Sequence, residues 1–368
     1  MTEIRIPLGM RDEIQSECIL KRKLQKKIEN IFINFGYAEI KTPVIEFYDT
    51  YQTGYAQVRA NEMYKFFDQE GEILTLRADM TVPIARVVAS KYANVEPPFR
   101  LFYTSDVFKV RHVFAGKRGE VTDCGIELIG LDSNSDVEVL YMALKVMEQL
   151  TSSTYQLEIG NAGFFKKAIE IVGVNEEEKN TLADLIDRKS MVDLDSYVQT
   201  LNIDQNAKAF FKQLPLLSGG KEVLLKAKEI CFSKEMEEEV TRLETLYNDL
   251  EKLGMSKHVS FDFGKVPHLD YYTGIIFEGY ITDSGTSVLS GGRYDGLLKK
   301  FNRDLPACGF SVKLDYVVDT LDEKVVTKTK LYYPKGKEVE AIQKAEELRE
   351  ENNVEMIPWE KESFEVRQ

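Results

Sequence analysis

Phe99-Arg100-Leu101-Phe102-Tyr103, a polar turn at Gly116-Lys117-Arg118-Gly119, and Gly125-Ile126-Glu127-Leu128-Ile129-Gly130 make up the stretch that decides the fold. Phe99, Leu101 and Tyr103 recur every second residue, and so do Ile126 and Leu128. A period of two is the mark of a strand. Residues 99–130 therefore read as strand, loop, strand. On the N-terminal side, an amphipathic helix is predicted over residues 17–35. Leu20, Leu24, Ile28, Ile31 and Phe35 form its apolar stripe, and Gly36 stops it. Residues 37–47 read as extended, with Thr42-Pro43 at an edge or strand end, because proline donates no ladder bond. A short strand at 73–76 leads to a helix near Asp79, with Pro83 in its first turn, where a missing N–H costs little.

On the C-terminal side, a helix is predicted near 136–150 and a strand at 155–159. Residues 162–253 are almost entirely helical in pattern. Val240, Leu243, Leu246, Leu250 and Leu253 form one stripe, closed by Gly254. Strands resume at Val259-Ser260-Phe261-Asp262-Phe263. A hairpin is expected between 275–281 and 286–289, with Gly291-Gly292 opening a helix that holds Leu297, Leu298 and Phe301. A strand at 308–312, a helix at 313–319, and a βαβ-like tail with Ala341, Ala345 and Leu348 on its helix's apolar side complete the reading. The expected class is α+β: a mainly antiparallel sheet core with flanking helices. It comprises residues 1–160 and 255–320, interrupted by a helical insertion at 161–254 and followed by a small α/β appendage at 325–368.

The 368 residues are 43% hydrophobic, enough for a large core, and carry a net charge of −13. That acidity speaks against nucleic acid as a partner, since phosphate neutralisation requires a basic face. No long apolar run suggests a membrane span. The charged N-terminus lacks a signal-peptide pattern, so a cytoplasmic location is expected. Cys18, Cys124, Cys231 and Cys308 are widely spaced and only three histidines occur, so neither a metal site nor a cofactor is expected.

Four segments in order resemble the histidyl-tRNA synthetase family. Gly9-Met10-Arg11-Asp12 is similar to its N-terminal opening, and Lys41-Thr42-Pro43-Val44-Ile45-Glu46 to its dimer-forming motif 1. Leu76-Arg77-Ala78-Asp79-Met80-Thr81 with residues 100–130 is similar to its amino-acid loop and motif 2. Leu269-Asp270-Tyr271-Tyr272-Thr273-Gly274, Gly291-Gly292-Arg293-Tyr294-Asp295-Gly296 and Gly309-Phe310 resemble its histidine signatures and motif 3. The resemblance implies a class II aminoacyl-tRNA synthetase-like fold and a homodimer through motif 1.

The chain departs from that family where the chemistry is most demanding. Amino-acid activation brings a carboxylate onto the α-phosphate of ATP and relies on preorganised cations, usually arginine forks. The motif 2 arginine is Lys109 here, with Arg111 where an acidic partner belongs. The arginine before Leu269-Asp270 is Pro267, and the motif 3 arginine is Tyr316. Each lost contact would cost on the order of 2–4 kcal/mol of transition-state stabilisation. Arg111 and Arg86 are the nearby candidates for a relocated cation. Few residues follow position 320, so an anticodon-binding domain of usual size is not expected. No catalytic residue is therefore assigned.

These losses match one branch of the family, the regulatory subunits of ATP phosphoribosyltransferase. Membership there implies a partner, the short-form catalytic subunit, in a hetero-oligomer, most simply a hetero-octamer. It also implies a role in histidine biosynthesis and feedback sensing of histidine. By the same resemblance Asp79, Thr81 and Asp123 would hold the α-amino group, and Glu127 the imidazole. Tyr271 and Tyr272 would line the site and Lys109 would meet the carboxylate. Plainer roles stay open: Asp79 as a helix cap, Glu127 as a solvent-facing strand residue, the tyrosines as face-filling aromatics.

Overall fold

The computed structural model describes residues 5–55, 60–111, 118–266, 272–321, 329–350 and 353–367. Tyr271, Pro267 and the expected turn at Gly116-Lys117 fall outside them. The chain divides into two compact units, 1–321 and 322–368.

In the first unit, α1 (Ser16–Asn34) leads to β1 (Ala38–Glu39) and β2 (Ile45–Phe47). Then come α2 (Tyr48–Gly54), β3 (Lys65–Phe67), β4 (Ile73–Leu76) and α3 (Thr81–Ser90). The hairpin strands are β5 (Phe99–Phe108) and β6 (Glu120–Ile129), followed by α4 (Asp136–Leu150) and β7 (Tyr155–Asn161). The helical stretch holds α5 (Ala162–Val172), α6 (Glu176–Asp187), α7 (Met191–Thr200), α8 (Gln205–Gln213), the short β8 (Ser218–Gly219), α9 (Glu222–Glu229) and α10 (Lys234–Lys252). The sheet resumes with β9 (Val259–Asp262), β10 (Ile275–Ile281), β11 (Leu289–Arg293) and β12 (Ala307–Lys313), and α11 (Leu314–Val318) closes the unit.

Nine strands form one sheet in the order β1-β5-β6-β12-β11-β10-β7-β9-β8. Its centre is antiparallel, while β1 runs parallel to β5 and β9 parallel to β7. Strand alternation gives β6 two different faces. Cys124, Ile126 and Leu128 point one way, into a core with Leu24, Ile28 and Phe32 of α1 and Val139, Leu140, Ala143 and Met147 of α4. Burying each such aliphatic or aromatic side chain is worth about 1.5–3 kcal/mol. The same core takes in Phe164, Phe210, Phe211, Val240 and Leu243 of the helical stretch. The other face carries Asp123, Gly125 and Glu127, opposite Ser105, Tyr103 and Leu101 on β5 and Lys313, Ser311 and Gly309 on β12. This face belongs to the site.

Three details differ from the sequence reading. In α1 the buried stripe is Leu20, Leu24, Ile28 and Phe32, an i+4 row, with Ile31 and Phe35 only partly covered. Leu253 lies past the end of α10 and is 48% exposed, because it sits at the helix C-cap and not on the packed face. Gly291 and Gly292 open no helix. They lie inside β11, paired with Phe310 and Gly309. Backbone and rings crowd both glycines: a Cβ on Gly291 would collide with the Gly309 carbonyl, and one on Gly292 would stand 2.6 Å from the Ile275 carbonyl and 2.7 Å from the Tyr272 ring. The expected helix shrinks to a 3-10 turn at Leu298–Phe301.

A small sheet, ordered β2-β4-β3, stands apart from the large one. In the second unit β13 (Thr329–Pro334) runs parallel to β14 (Val354–Trp359), with α12 (Glu338–Arg349) between them in sequence. The short β15 (Glu365–Arg367) pairs antiparallel on the other side of β13. Ala341 and Ala345 are buried beneath α12. Among the described residues, no helix is long and apolar enough to cross a membrane.

Candidate ligand pocket

Glu127 decides how the pocket is built. It is only 2% exposed, so it does not face solvent. Its Oε1 accepts from Thr81 Oγ1 at 2.8 Å, and its Oε2 from the Tyr294 hydroxyl. The first bond ties the C-terminal part of β6 to the first residue of α3, and the second ties it to the residue after β11. Beside it Gly309 offers no side chain, and a Cβ there would overlap the carboxylate. The carboxyl is pushed up to about 7 by burial, a shift that the Tyr294 and Thr81 bonds oppose and the charge of Asp79 reinforces.

Asp79 precedes α3. Its Oδ1 accepts from the Val82 N–H at 3.0 Å, so the capping role is present. Its Oδ2 accepts from the Tyr55 hydroxyl at 2.7 Å. Burial raises its carboxyl, against the Val82 bond, the nearby Lys109 charge and the Tyr55 bond. The loop before α3 is fixed by Tyr51, a fully buried ring of α2. The Tyr51 hydroxyl donates to the Asp79 carbonyl at 2.9 Å and accepts from the Ala78 N–H at 3.0 Å.

Asp123 lies two rungs beyond Gly125 on the same side of β6. It is 9% exposed, and its Oδ1 has no hydrogen-bond partner among the described residues. Burial pushes its carboxyl up to about 6. Lys313 and Lys109 oppose the shift, while Asp79 and Asp315 add to it. Between Asp123 and Glu127 lies Gly125, directly under the ring of Tyr103. Tyr272 places its ring over Gly292, and its carbonyl accepts from Lys166 Nζ at 2.7 Å. Gly125, Gly309 and Gly292 thus make way for the Tyr103 ring, the Glu127 carboxylate and the Tyr272 ring, and Asp79, Thr81 and Asp123 stand close to the same carboxylate or to each other. The lysines make their presence felt as charge: Lys109 acts on both Asp79 and Asp123.

Of the residues expected here, Asp79, Thr81, Lys109, Asp123, Glu127 and Tyr272 come together, and Tyr271 lies outside the described residues. Tyr55, Tyr103, Lys313, Tyr294 and Gly309 were not assigned to the pocket from sequence. Strand parity could have found Tyr103, two positions beyond Leu101, and Tyr294, two positions beyond Gly292. Tyr55 carries no such signal.

The arginines nearby are bound to the protein itself. Arg86 forks onto Glu46 at 3.0 and 2.5 Å. Arg111 Nε donates to the Arg118 carbonyl at 2.9 Å. Arg118 lies against Tyr316, whose hydroxyl accepts from its N–H at 3.4 Å. Its guanidinium is held by Asp315 at 3.0 Å and Asp319 at 2.6 Å. Asp315 is itself 4% exposed and also bonds Lys21 and the Thr122 N–H.

An antiparallel sheet with a polar pocket over its centre is the architecture of the class II aminoacyl-tRNA synthetases. Histidyl-tRNA synthetase from Nostoc sp. PCC 7120 superposes with a TM-score of 0.79 at 20% identity, over 99% of this chain and 88% of its own. The family model described as histidyl-tRNA synthetase matches residues 9–317. An ATP phosphoribosyltransferase regulatory subunit of Clostridium kluyveri is 36% identical over 99% of this chain and 95% of its own length. A solved Bacillus halodurans chain described as an ATP phosphoribosyltransferase regulatory subunit/histidyl-tRNA synthetase has a TM-score of 0.86 at 32% identity, covering 96% of this chain and 92% of its own. The chain belongs to the ATP phosphoribosyltransferase regulatory subunits, within the histidyl-tRNA synthetase family.

Proposed function

We propose that this chain is the non-catalytic regulatory subunit of a short-form ATP phosphoribosyltransferase and that its pocket senses histidine. The observation that carries the non-catalytic part is the state of the arginine beside Tyr316. Arg118, whose main-chain N–H meets the Tyr316 hydroxyl, is a cation close to that position, and Asp315 and Asp319 already neutralise its guanidinium. A triphosphate would have to displace two carboxylates to use it, at the cost of leaving the buried Asp315 without that partner. Arg86 and Arg111 are likewise engaged.

Histidine suits the pocket. An imidazole against Glu127 gains a charge-assisted hydrogen bond of about 1.5–3 kcal/mol. The α-amino group meets Asp79, Thr81 and Asp123, and Lys109 answers the carboxylate as a point charge. Tyr272 offers a ring face. Preference of the ligand for one conformation then reaches the catalytic partner as a coupling free energy, typically about 1–3 kcal/mol.

Self-association through the motif 1 region has support in the small sheet. Ile45 and Phe47 of β2 and Phe66 of β3 share one side with Leu74 of β4, and the first three are 46, 52 and 36% exposed. On the opposite side Glu46 and Thr75 are buried, while Phe67 and Ile73 at its far end are exposed as well. An exposed apolar cluster of this kind marks an interface.

The deciding experiment is paired. ATP–pyrophosphate exchange with histidine should give no turnover. Mixing the chain with the short catalytic subunit should switch on phosphoribosyl transfer, which histidine then suppresses. Measurable exchange, or a catalytic subunit indifferent to this chain, would overturn the proposal.

A further inference from the structure

We propose that the N-terminal arm, residues 6–14, is a positioning element for the pocket: it clamps the end of the β5–β6 hairpin, and through that clamp it sets where Lys109 stands. The inference rests on the histidine reading above and adds to it a part of the chain that touches no ligand.

Lys109 follows the last residue of β5, and Gly119 precedes the first residue of β6. The Lys109 N–H donates to the Gly119 carbonyl at 2.7 Å, and the Gly119 N–H donates to the Gly9 carbonyl, also at 2.7 Å. Gly119 thus links the arm to the lysine. The approach is close: Gly9 has φ +80°, and a Cβ on it would stand 2.9 Å from the Gly119 nitrogen. Charge fixes the rest of the arm. Arg11 Nη1 donates to Asp319 Oδ1 at 3.2 Å, and the same carboxylate takes the Arg118 guanidinium at 2.6 Å. Glu13 accepts from Lys21 Nζ at 2.8 Å, and that ammonium also reaches Asp315 at 3.0 Å, the carboxylate that holds Arg118 from the other side. Arm, α1, hairpin end and the segment of α11 therefore share one ionic cluster.

The neighbours of Lys109 are held elsewhere. Phe108 and Val110 donate to the Arg77 and Glu62 carbonyls at 2.9 and 2.8 Å. Lys109 is therefore fixed at both flanks by the body of the unit, and at its own N–H by way of the arm. Lysine is a point charge on a flexible stem, so order lost from its main chain is affinity lost for the carboxylate it meets. The arm itself is lightly committed to the core: Ile6, Leu8 and Ile14 are 51, 56 and 65% exposed. It can be loosened without unfolding the sheet.

The test uses the full chain and two lesions at the clamp. Gly9→Ala collides with Gly119, and Asp319→Asn weakens the contacts of Arg11 and Arg118 at a half-exposed position. Hydrogen exchange read by mass spectrometry should quicken over 105–111 and 118–123 in either variant, while 124–129 inside β6 stays as protected as before. Calorimetry on the complex with the catalytic subunit should show the preference for histidine over histamine, which lacks the carboxylate, fall roughly five-fold, part of the ten-fold or more that one charge-assisted hydrogen bond carries. A lesion that only weakened the fold would lower both affinities alike. Unchanged exchange in both variants, or faster exchange with the histidine-to-histamine ratio intact, overturns the clamp and leaves the histidine reading standing. No binding of histidine to the natural complex overturns both.

Discussion

Replacing Asp123 by asparagine should change how stability depends on pH, even with no ligand present. The side chain is 9% exposed, and one oxygen lacks a partner among the described residues. Its carboxyl rises from the ordinary 3.8 to about 6, chiefly through burial. A folded-state value above the unfolded one means that the folded chain holds the proton more tightly. The contribution to stability is therefore complete below about 4 and is lost as pH climbs through about 6. Above pH 7 the natural chain carries the whole burden of a buried, ionised and poorly partnered carboxylate, up to about 3 kcal/mol for a shift of this size. At pH 4.5 only about 1 kcal/mol of it is felt. Asparagine cannot ionise. Whatever its own unmatched amide costs is the same at both pH values, so the informative quantity is the change in the gap. D123N should gain about 2 kcal/mol relative to the natural chain between pH 4.5 and pH 8, read from urea unfolding midpoints followed by circular dichroism. A gap that stays flat across that range, or one that shifts against the variant at high pH, would show that Asp123 is not held near 6 by its surroundings.

Other substitutions probe the rest of the molecule. Glu127→Gln should weaken histidine binding ten-fold or more in calorimetry, since it replaces a charge-assisted bond by a neutral one. Gly309→Ala should abolish binding and lower the melting temperature, because the new methyl overlaps the Glu127 carboxylate and the Ile126 carbonyl. Arg293→Ala should destabilise the fold by about 3–5 kcal/mol, seen in thermal unfolding. It strips the partner from Asp136, a carboxylate only 2% exposed and bonded to Arg293 Nε at 2.9 Å. Phe47→Glu should halve the apparent mass in sedimentation while leaving the circular dichroism spectrum intact, because the charge lands on the exposed side of the small sheet.

The hairpin at 99–130 was legible because its alternation is local. Period two survives in Phe99, Leu101 and Tyr103 whatever the rest of the chain does. The stripe of α1 was legible only as a helix. Which turn faces inward depends on α4 and the sheet, and these select Phe32 over Ile31 and Phe35. Gly291-Gly292 misled because glycine pairs usually punctuate turns, whereas here they clear space for a neighbouring strand and a tyrosine ring. β15 has three residues, too few for any period to show. In the pocket, Asp79, Thr81, Asp123 and Glu127 came from resemblance to a family and not from spacing. Their convergence depends on strand pairing over long sequence separations, as does the bond from Tyr294 to Glu127 across 167 positions. The fate of Arg118 was invisible for the same reason: its partners lie near the far end of the first unit.

The glycines of the pocket limit how its selectivity can drift. Gly125, Gly309 and Gly292 already carry the Tyr103 ring, the Glu127 carboxylate and the Tyr272 ring directly on their main chain, so no smaller residue at these positions can make more room. Any side chain gained there only takes room away, beginning with the Tyr103 ring above Gly125 and the Tyr272 ring above Gly292. A bulkier effector would have to be accommodated by trimming those two tyrosines. Changes of taste in descendants of this chain are therefore to be sought at positions 103 and 272, with the three glycines left untouched.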